Sequence, residues 1–391
     1  MSKQSAGNHK DESRYCGLYL HIPFCVRKCP YCSFFSLIGK SGLYNRYTRA
    51  VAVQLQGFSR LEWTKSRVID TIFFGGGTPS VLPVSLLTLM LDQCRQGFAM
   101  KNGLEISIEV NPATVNLGDL RQLFQAGFNR LSIGAQSLSD RDLLVLGRPH
   151  TAADVHDAVD MGRKAGFSTI SLDLMYGLPG QTVSDWQEVL LQALRLEPDH
   201  LSIYELTVEP GTIFAELQKL GKLNLPEEDR VLEIMDLTRT EVIKMGFHRY
   251  EISNYALPGK ECRHNINYWR NGSYIGSGAG AVSCLSGCRK KAVEDVEAFC
   301  RMVESGLEPW TGKEKLDPPG RFRETVIMGL RMTAGVSFSE LQDRFGIDLP
   351  SYYGSMLSGL KDQGLVIQDH DRLRLSPRGL LVANSVMAEL V

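Results

Sequence analysis

Tyr19-Leu20-His21-Ile22-Pro23-Phe24-Cys25-Val26-Arg27-Lys28-Cys29-Pro30-Tyr31-Cys32 sets three cysteines at a C-x3-C-x2-C spacing, directly after a short β-rich run. Thiolates ligate iron–sulfur clusters, and a cubane has four irons. Three local ligands, Cys25, Cys29 and Cys32, therefore hold a [4Fe–4S] cluster and leave one iron open, much as a catalytic zinc keeps an open position. S-adenosylmethionine (SAM) fits that vacancy through its amino and carboxylate groups. A structural zinc knuckle is the competing reading. It wants a fourth Cys or His close by, and only His21 on the strand itself is near.

Outward from this loop the chain alternates strands and helices. Candidate strands span residues 18–23, 71–74, 105–111, 130–134, 169–175 and 200–205. Segments with helical apolar spacing follow at 85–94, 117–126, 153–165 and 186–194. Gly127 and Gly166 suit left-handed helix stops. Such repetition implies a parallel sheet with helical crossovers, an α/β fold. Six units are too few for a closed eight-unit barrel, so a partial, open (β/α)6 barrel is expected. Its ligand site should lie at the C-terminal strand ends.

Polar residues fall at those ends. Gly75-Gly76-Gly77-Thr78-Pro79 follows the second strand and lets backbone approach a ligand closely. A phosphate loop is excluded, since no Gly-Lys-Ser/Thr follows. Glu109 ends the third strand, Gln136 follows the fourth, Asp173 lies in the fifth, and Arg148 and His150 come from the loop after Gln136. Several such groups at one sheet edge read as a ligand site.

These stretches together resemble the oxygen-independent coproporphyrinogen oxidase family of the radical SAM superfamily, over about residues 16–391. The resemblance implies that Tyr19, Tyr31, Gly76, Gly77, Thr78, Glu109, Gln136, Arg148 and Asp173 contact SAM, with Thr207 and Val282 at further SAM-facing positions. The decarboxylating members carry a fourth cysteine, C-x3-C-x2-C-x-C, which their reaction needs. Phe34 stands at that position here. The haem-chaperone branch, HemW, lacks this cysteine and carries an H-N-x-x-Y-W signature, present as His264-Asn265-Ile266-Asn267-Tyr268-Trp269. The resemblance thus implies a haem chaperone that binds haem and passes it to an acceptor protein, itself soluble or membrane-associated, with an electron donor such as a flavodoxin. The alternatives are coproporphyrinogen III decarboxylation, against which Phe34 speaks, and another SAM-dependent tetrapyrrole reaction. No catalytic residue is assigned. His264 is the candidate haem ligand, since His is a common axial ligand. The competing reading has it capping a turn while Tyr268 and Trp269 fill a core.

The 43 basic and 44 acidic residues nearly cancel, so no nucleic-acid footprint is expected. Nine cysteines, an odd number, in a chain of 391 residues without an export signal suit metal binding or burial rather than a disulfide scaffold. Residues 1–15 are polar and read as a flexible tail, not a signal peptide. With no run of about 18 apolar residues for a membrane span, the expected location is cytoplasmic. The expected organisation continues with a radical SAM core at 16–245, a barrel extension carrying the H-N-x-x-Y-W motif at 246–311, and a linker at 312–320. Residues 321–391, three helices and a hairpin, read as a winged-helix-like domain.

Overall fold

The computed structural model describes residues 14–285 and 287–391. Six parallel strands form its centre: β1 (Tyr15–Ile22), β2 (Val68–Gly76), β3 (Met100–Val110), β4 (Arg130–Gln136), β5 (Ile170–Tyr176) and β6 (His200–Glu205), hydrogen-bonded in that order. Further strands extend both edges. Beyond β6 lie β7 (His248–Arg249) and β8 (Asn254–Ala256), with β8 antiparallel to β6. Beyond β1 lie β9 (Tyr274–Ser277), parallel to it, then the antiparallel β10 (Val282–Leu285), β11 (Cys288–Ala292) and β12 (Trp310–Lys315). The sheet has 12 strands, runs β12-β11-β10-β9-β1-β2-β3-β4-β5-β6-β8-β7, and does not close. A partial barrel is therefore present, wider than six strands.

Side chains alternate across a strand, and here the two faces differ in chemistry. Leu18, Leu20, Ile22, Ile72, Phe74, Ile108, Leu131, Leu172 and Leu201 are fully buried in the layer shared with the helices. The crossover helices are α1 (Tyr44–Ser59), α2 (Val84–Gly97), α3 (Leu117–Ala126), α4 (Ala152–Ala165) and α5 (Val183–Arg195). Both α4 and α5 open on a capping box, Thr151 with Asp154 and Thr182 with Asp185, which satisfies amides that a helix start leaves unpaired. Gly127 and Gly166 end α3 and α4 in the left-handed conformation. The opposite strand face, with Tyr19, Glu109, Ser132, Asp173 and Ser202, lines a polar chamber.

Helices α6 (Glu228–Lys244), α7 (Arg263–Trp269) and α8 (Val296–Glu304) follow. A second apolar core starts at Phe322 and ends at Leu390. It is built by α9 (Pro318–Leu330), α10 (Phe338–Phe345), α11 (Leu349–Asp362) and a three-stranded antiparallel sheet, Val336–Ser337, Arg372–Leu375 and Val366–Gln368. These are the three helices and hairpin of the expected winged-helix-like module, with one added strand and two short helices at Pro377–Leu381 and Ala383–Glu389.

Two expected boundaries shift, and one helix is new. Residues 1–13 of the expected tail lie outside the described residues, but Tyr15 already belongs to β1. The expected linker 312–320 contains the end of β12 and the first turn of α9, where Pro318 and Pro319 suit a helix start because the first turn needs no internal amide bond. Helix α1 was absent from the sequence reading. Its buried stripe includes Thr48, Ala50 and Gln54, which dilute the apolar period.

Candidate functional site

The cysteine loop leaves the end of β1 and is closed by a short parallel pairing of Phe24–Cys25 with Leu37–Ile38. The Cys32 amide donates to the Cys29 carbonyl at 3.1 Å, forming a tight turn. All three thiols are half-buried and free of disulfides. Among the described residues no three His, Cys, Asp or Glu side chains converge on a single metal-ion position.

The glycine turn after β2 is clamped against this loop. Gly77 donates its amide to the Ile22 carbonyl at 2.9 Å and Thr78 to the Phe24 carbonyl at 2.8 Å. A Cβ on Gly77 would meet the Phe24 carbonyl at 2.7 Å and Cys25 Sγ at 3.0 Å. Gly76 has φ +116°, and a Cβ there would strike the His21 ring at 2.6 Å. Only glycine permits both approaches. Thr78 Oγ1 lies 3.6 Å from Cys25 Sγ.

Arg148 bridges the loop to the sheet. Its Nη2 donates to the Gly134 carbonyl at 2.8 Å, its Nη1 points to Cys29 Sγ at 3.6 Å, and its buried Nε has no partner among the described residues. Tyr31 lies beside it, its hydroxyl pushed upward by burial. Gln136 sits at φ +68° where β4 breaks register with β5, a strained conformation for a non-glycine residue. Glu109 accepts from the Gly76 amide at 3.1 Å; burial and then the neighbouring Asp173 push its carboxyl up to about 8. Asp173 is likewise raised by burial, although Ser132 donates to both its oxygens at 3.2–3.3 Å. Val282 lies on β10, with β9 between it and Tyr19: Tyr19 pairs with Gly276, whose Cβ would meet the Val282 carbonyl at 2.0 Å. Thr207 is exposed in the loop after β6.

Tyr19, Glu109 and Asp173 open on the chamber of about 320 Å³ inside the partial barrel, alongside Arg130, His200, Tyr204, His264 and Tyr268. Arg130, His200 and Tyr204 were absent from the sequence reading; a charged or polar residue inside an otherwise apolar strand is the signal that could have found them. The sequence points to His21 only as a zinc ligand. Its Nδ1 meets the Tyr19 hydroxyl at 3.0 Å, and burial, opposed by the Phe35 backbone, lowers it to about 4, so it is neutral.

His264, the candidate haem ligand, is enclosed by the fold. It is 1% exposed, stacks on Phe73, and has both ring nitrogens engaged: Nδ1 with Thr71 Oγ1 at 2.7 Å and Nε2 with the Tyr268 hydroxyl at 3.1 Å. Its amide donates to Glu105 at 3.1 Å, and burial lowers its pKa to about 3. A neutral imidazole with no free nitrogen is a wall of the chamber.

A partial barrel, a three-cysteine loop after its first strand and a glycine shelf beside it define a radical SAM protein. Residues 19–193 match the Radical SAM superfamily model and residues 316–382 the HemN C-terminal domain. The solved coproporphyrinogen III oxidase HemN of Escherichia coli superposes with a TM-score of 0.85 over 98% of this chain and 91% of that one, at 23% identity, and shows the fold. The heme chaperone HemW of Bacillus subtilis is 34% identical over 94% of this chain and 97% of its own, and that of Lactococcus lactis 32% over 95% and 96%. A mitochondrial radical S-adenosyl methionine domain-containing protein 1 of Danio rerio is 32% identical over 96% and 86%. The chain belongs to the HemW family.

That family implies a [4Fe–4S] cluster and SAM. The residues present fit them: three half-buried thiols on one loop, a shelf where a Cβ would intrude, and a guanidinium beside Cys29 whose Nε has no partner among the described residues. When bound, the cluster would supply electron transfer at the SAM site.

Proposed function

We propose that this chain is a haem chaperone, which binds haem and passes it to an acceptor protein. Full-length similarity to proteins named heme chaperones carries the reading. Phe34, 69% exposed at the mouth of the cysteine loop, supports it, because the decarboxylating relatives need a cysteine there. Cys25, Cys29 and Cys32 would hold the cluster. Glu109 and the glycine turn would receive the SAM ammonium, Arg148 would position the cluster through Cys29, and Tyr19, Tyr31, Thr78, Gln136, Asp173, Thr207 and Val282 would line the SAM site.

Within this reading the acceptor is a haem protein, soluble or attached to a membrane, and a flavodoxin-type protein reduces the cluster in the cytoplasm. Among the described residues no helix is long and apolar enough to cross a membrane. The test is anaerobic incubation of the cluster-loaded protein with coproporphyrinogen III, SAM and reductant, beside a haem titration. Stable haem binding without vinyl product is expected; vinyl product would sink the chaperone reading.

A further inference from the structure

The short helix α7 separates two cavities. His264 and Tyr268, four residues apart and so on one helix face, line the chamber inside the barrel. Ile266, Trp269 and Arg270 line a second cavity of about 640 Å³ at the N-terminal ends of the central strands, closed by the outer strands and the C-terminal module. The cysteine loop lies at the opposite, C-terminal ends.

We propose that this second cavity is the haem site, an inference that rests on the chaperone reading. Its size lies within the range of pockets that enclose a cofactor. Its charge is unbalanced. Seven basic groups line it against four acidic ones, of which Asp70 is shared by Lys101 and Arg263, Glu314 and Glu324 both hold Arg289, and Glu340 is the fourth. Arg270 and Arg321 have no carboxylate partner among the described residues, and Gly287 leaves the space that Arg321 crosses, since a Cβ there would meet its Nε at 2.5 Å. The buried Nε1 of Trp269 also has no acceptor among the described residues. A buried donor without a partner is costly, so it marks a place where an acceptor arrives. Ile266, Met332 and Val336 supply apolar wall. Two unpaired guanidiniums, an orphan indole N–H and an apolar wall fit a flat hydrophobic dianion, and haem with its two propionates is that ligand.

One wall belongs to the C-terminal module, so movement of that module would open the site for transfer. Arg344 of α10 fastens it by donating to the Arg270 and Asn271 carbonyls at 3.1 and 2.8 Å.

Haemin and its dimethyl ester, in which both carboxylates are blocked, are titrated into wild type, the double variant Arg270→Glu/Arg321→Glu, and Trp269→Phe. Arg239→Glu on α6 controls for loss of surface charge, and thermal unfolding with cluster content controls for folding. Losing charge-assisted hydrogen bonds should weaken haemin binding in the double variant by roughly tenfold or more. Wild type should prefer haemin over the ester by a similar factor, and the double variant should lose that preference. Trp269→Phe should cost a few-fold. Wild-type affinity in a folded double variant would place haem elsewhere and leave the chaperone reading standing. A wild type that binds no haem would remove both.

Discussion

At the scale of single residues the site is built from groups held in states that water would not favour. Glu109 is the clearest. An ordinary carboxyl loses its proton near pH 4.3, whereas burial beside Asp173 raises this one to about 8. Between those values the folded chain holds the extra proton, so stability falls as pH rises through this window and levels off above it. Glu109→Gln should therefore flatten the loss of melting temperature between pH 5 and pH 8.5 in the cluster-free protein. An unchanged slope would mean that another group carries it. Gly76 makes a steric prediction. Gly76→Val forces a branched side chain into φ +116° and into the His21 ring, so iron content after reconstitution should drop well below the four expected of a cubane, roughly by half or more. Iron and sulfide analysis reads the result.

At the scale of elements α7 is the part most altered by its tertiary setting. As sequence, H-N-x-x-Y-W offers a histidine and two aromatics, compatible with a ligand or with packing. Folded, the histidine bridges Thr71 and Tyr268 and stacks on Phe73. His264→Ala should cost about 2–4 kcal/mol from the void and the unpaired hydroxyls it leaves, measured by urea unfolding, while the Soret band of the haem complex stays in place. A shifted Soret band at unchanged stability would return His264 to the role of ligand. Arg344 caps the C-terminal carbonyls after the same helix, where a cation is favoured. Arg344→Ala should lower stability by roughly 1 kcal/mol and speed proteolysis between the core and the C-terminal module.

At the scale of the molecule the two ends of the sheet are assigned different work. The thiols lie beyond the C-terminal ends of the strands, and the larger cavity lies at the N-terminal ends around Asp70 and Lys101. Replacing Cys25 and Cys29 together by Ala should abolish cluster absorption yet leave haem affinity within about twofold. Loss of haem binding in that variant would couple the two sites more tightly than the geometry implies.

Much of this was legible in the chain alone, for local reasons. The cysteine spacing, the glycine run and the alternation of strand and helix are set within a few residues, and strands such as His200–Glu205 and helices such as Leu117–Ala126 stand where periodicity placed them. Phe34 needed no structure to be noticed. Other features depend on distant partners. Helix α1 hid behind Thr48 and Gln54, whose burial follows from packing against the sheet; Gln54 accepts from Ser277, 223 residues away. The strands β11 and β12 carry Lys290, Lys291, Lys313 and Lys315, whose charges masked them until edge pairing satisfied their backbones. The state of His264 was undecidable from sequence, because an imidazole can donate, accept or ligate. Thr71, 193 residues before it, and Tyr268, one turn after it, take both of its nitrogens, and only the folded chain brings all three together.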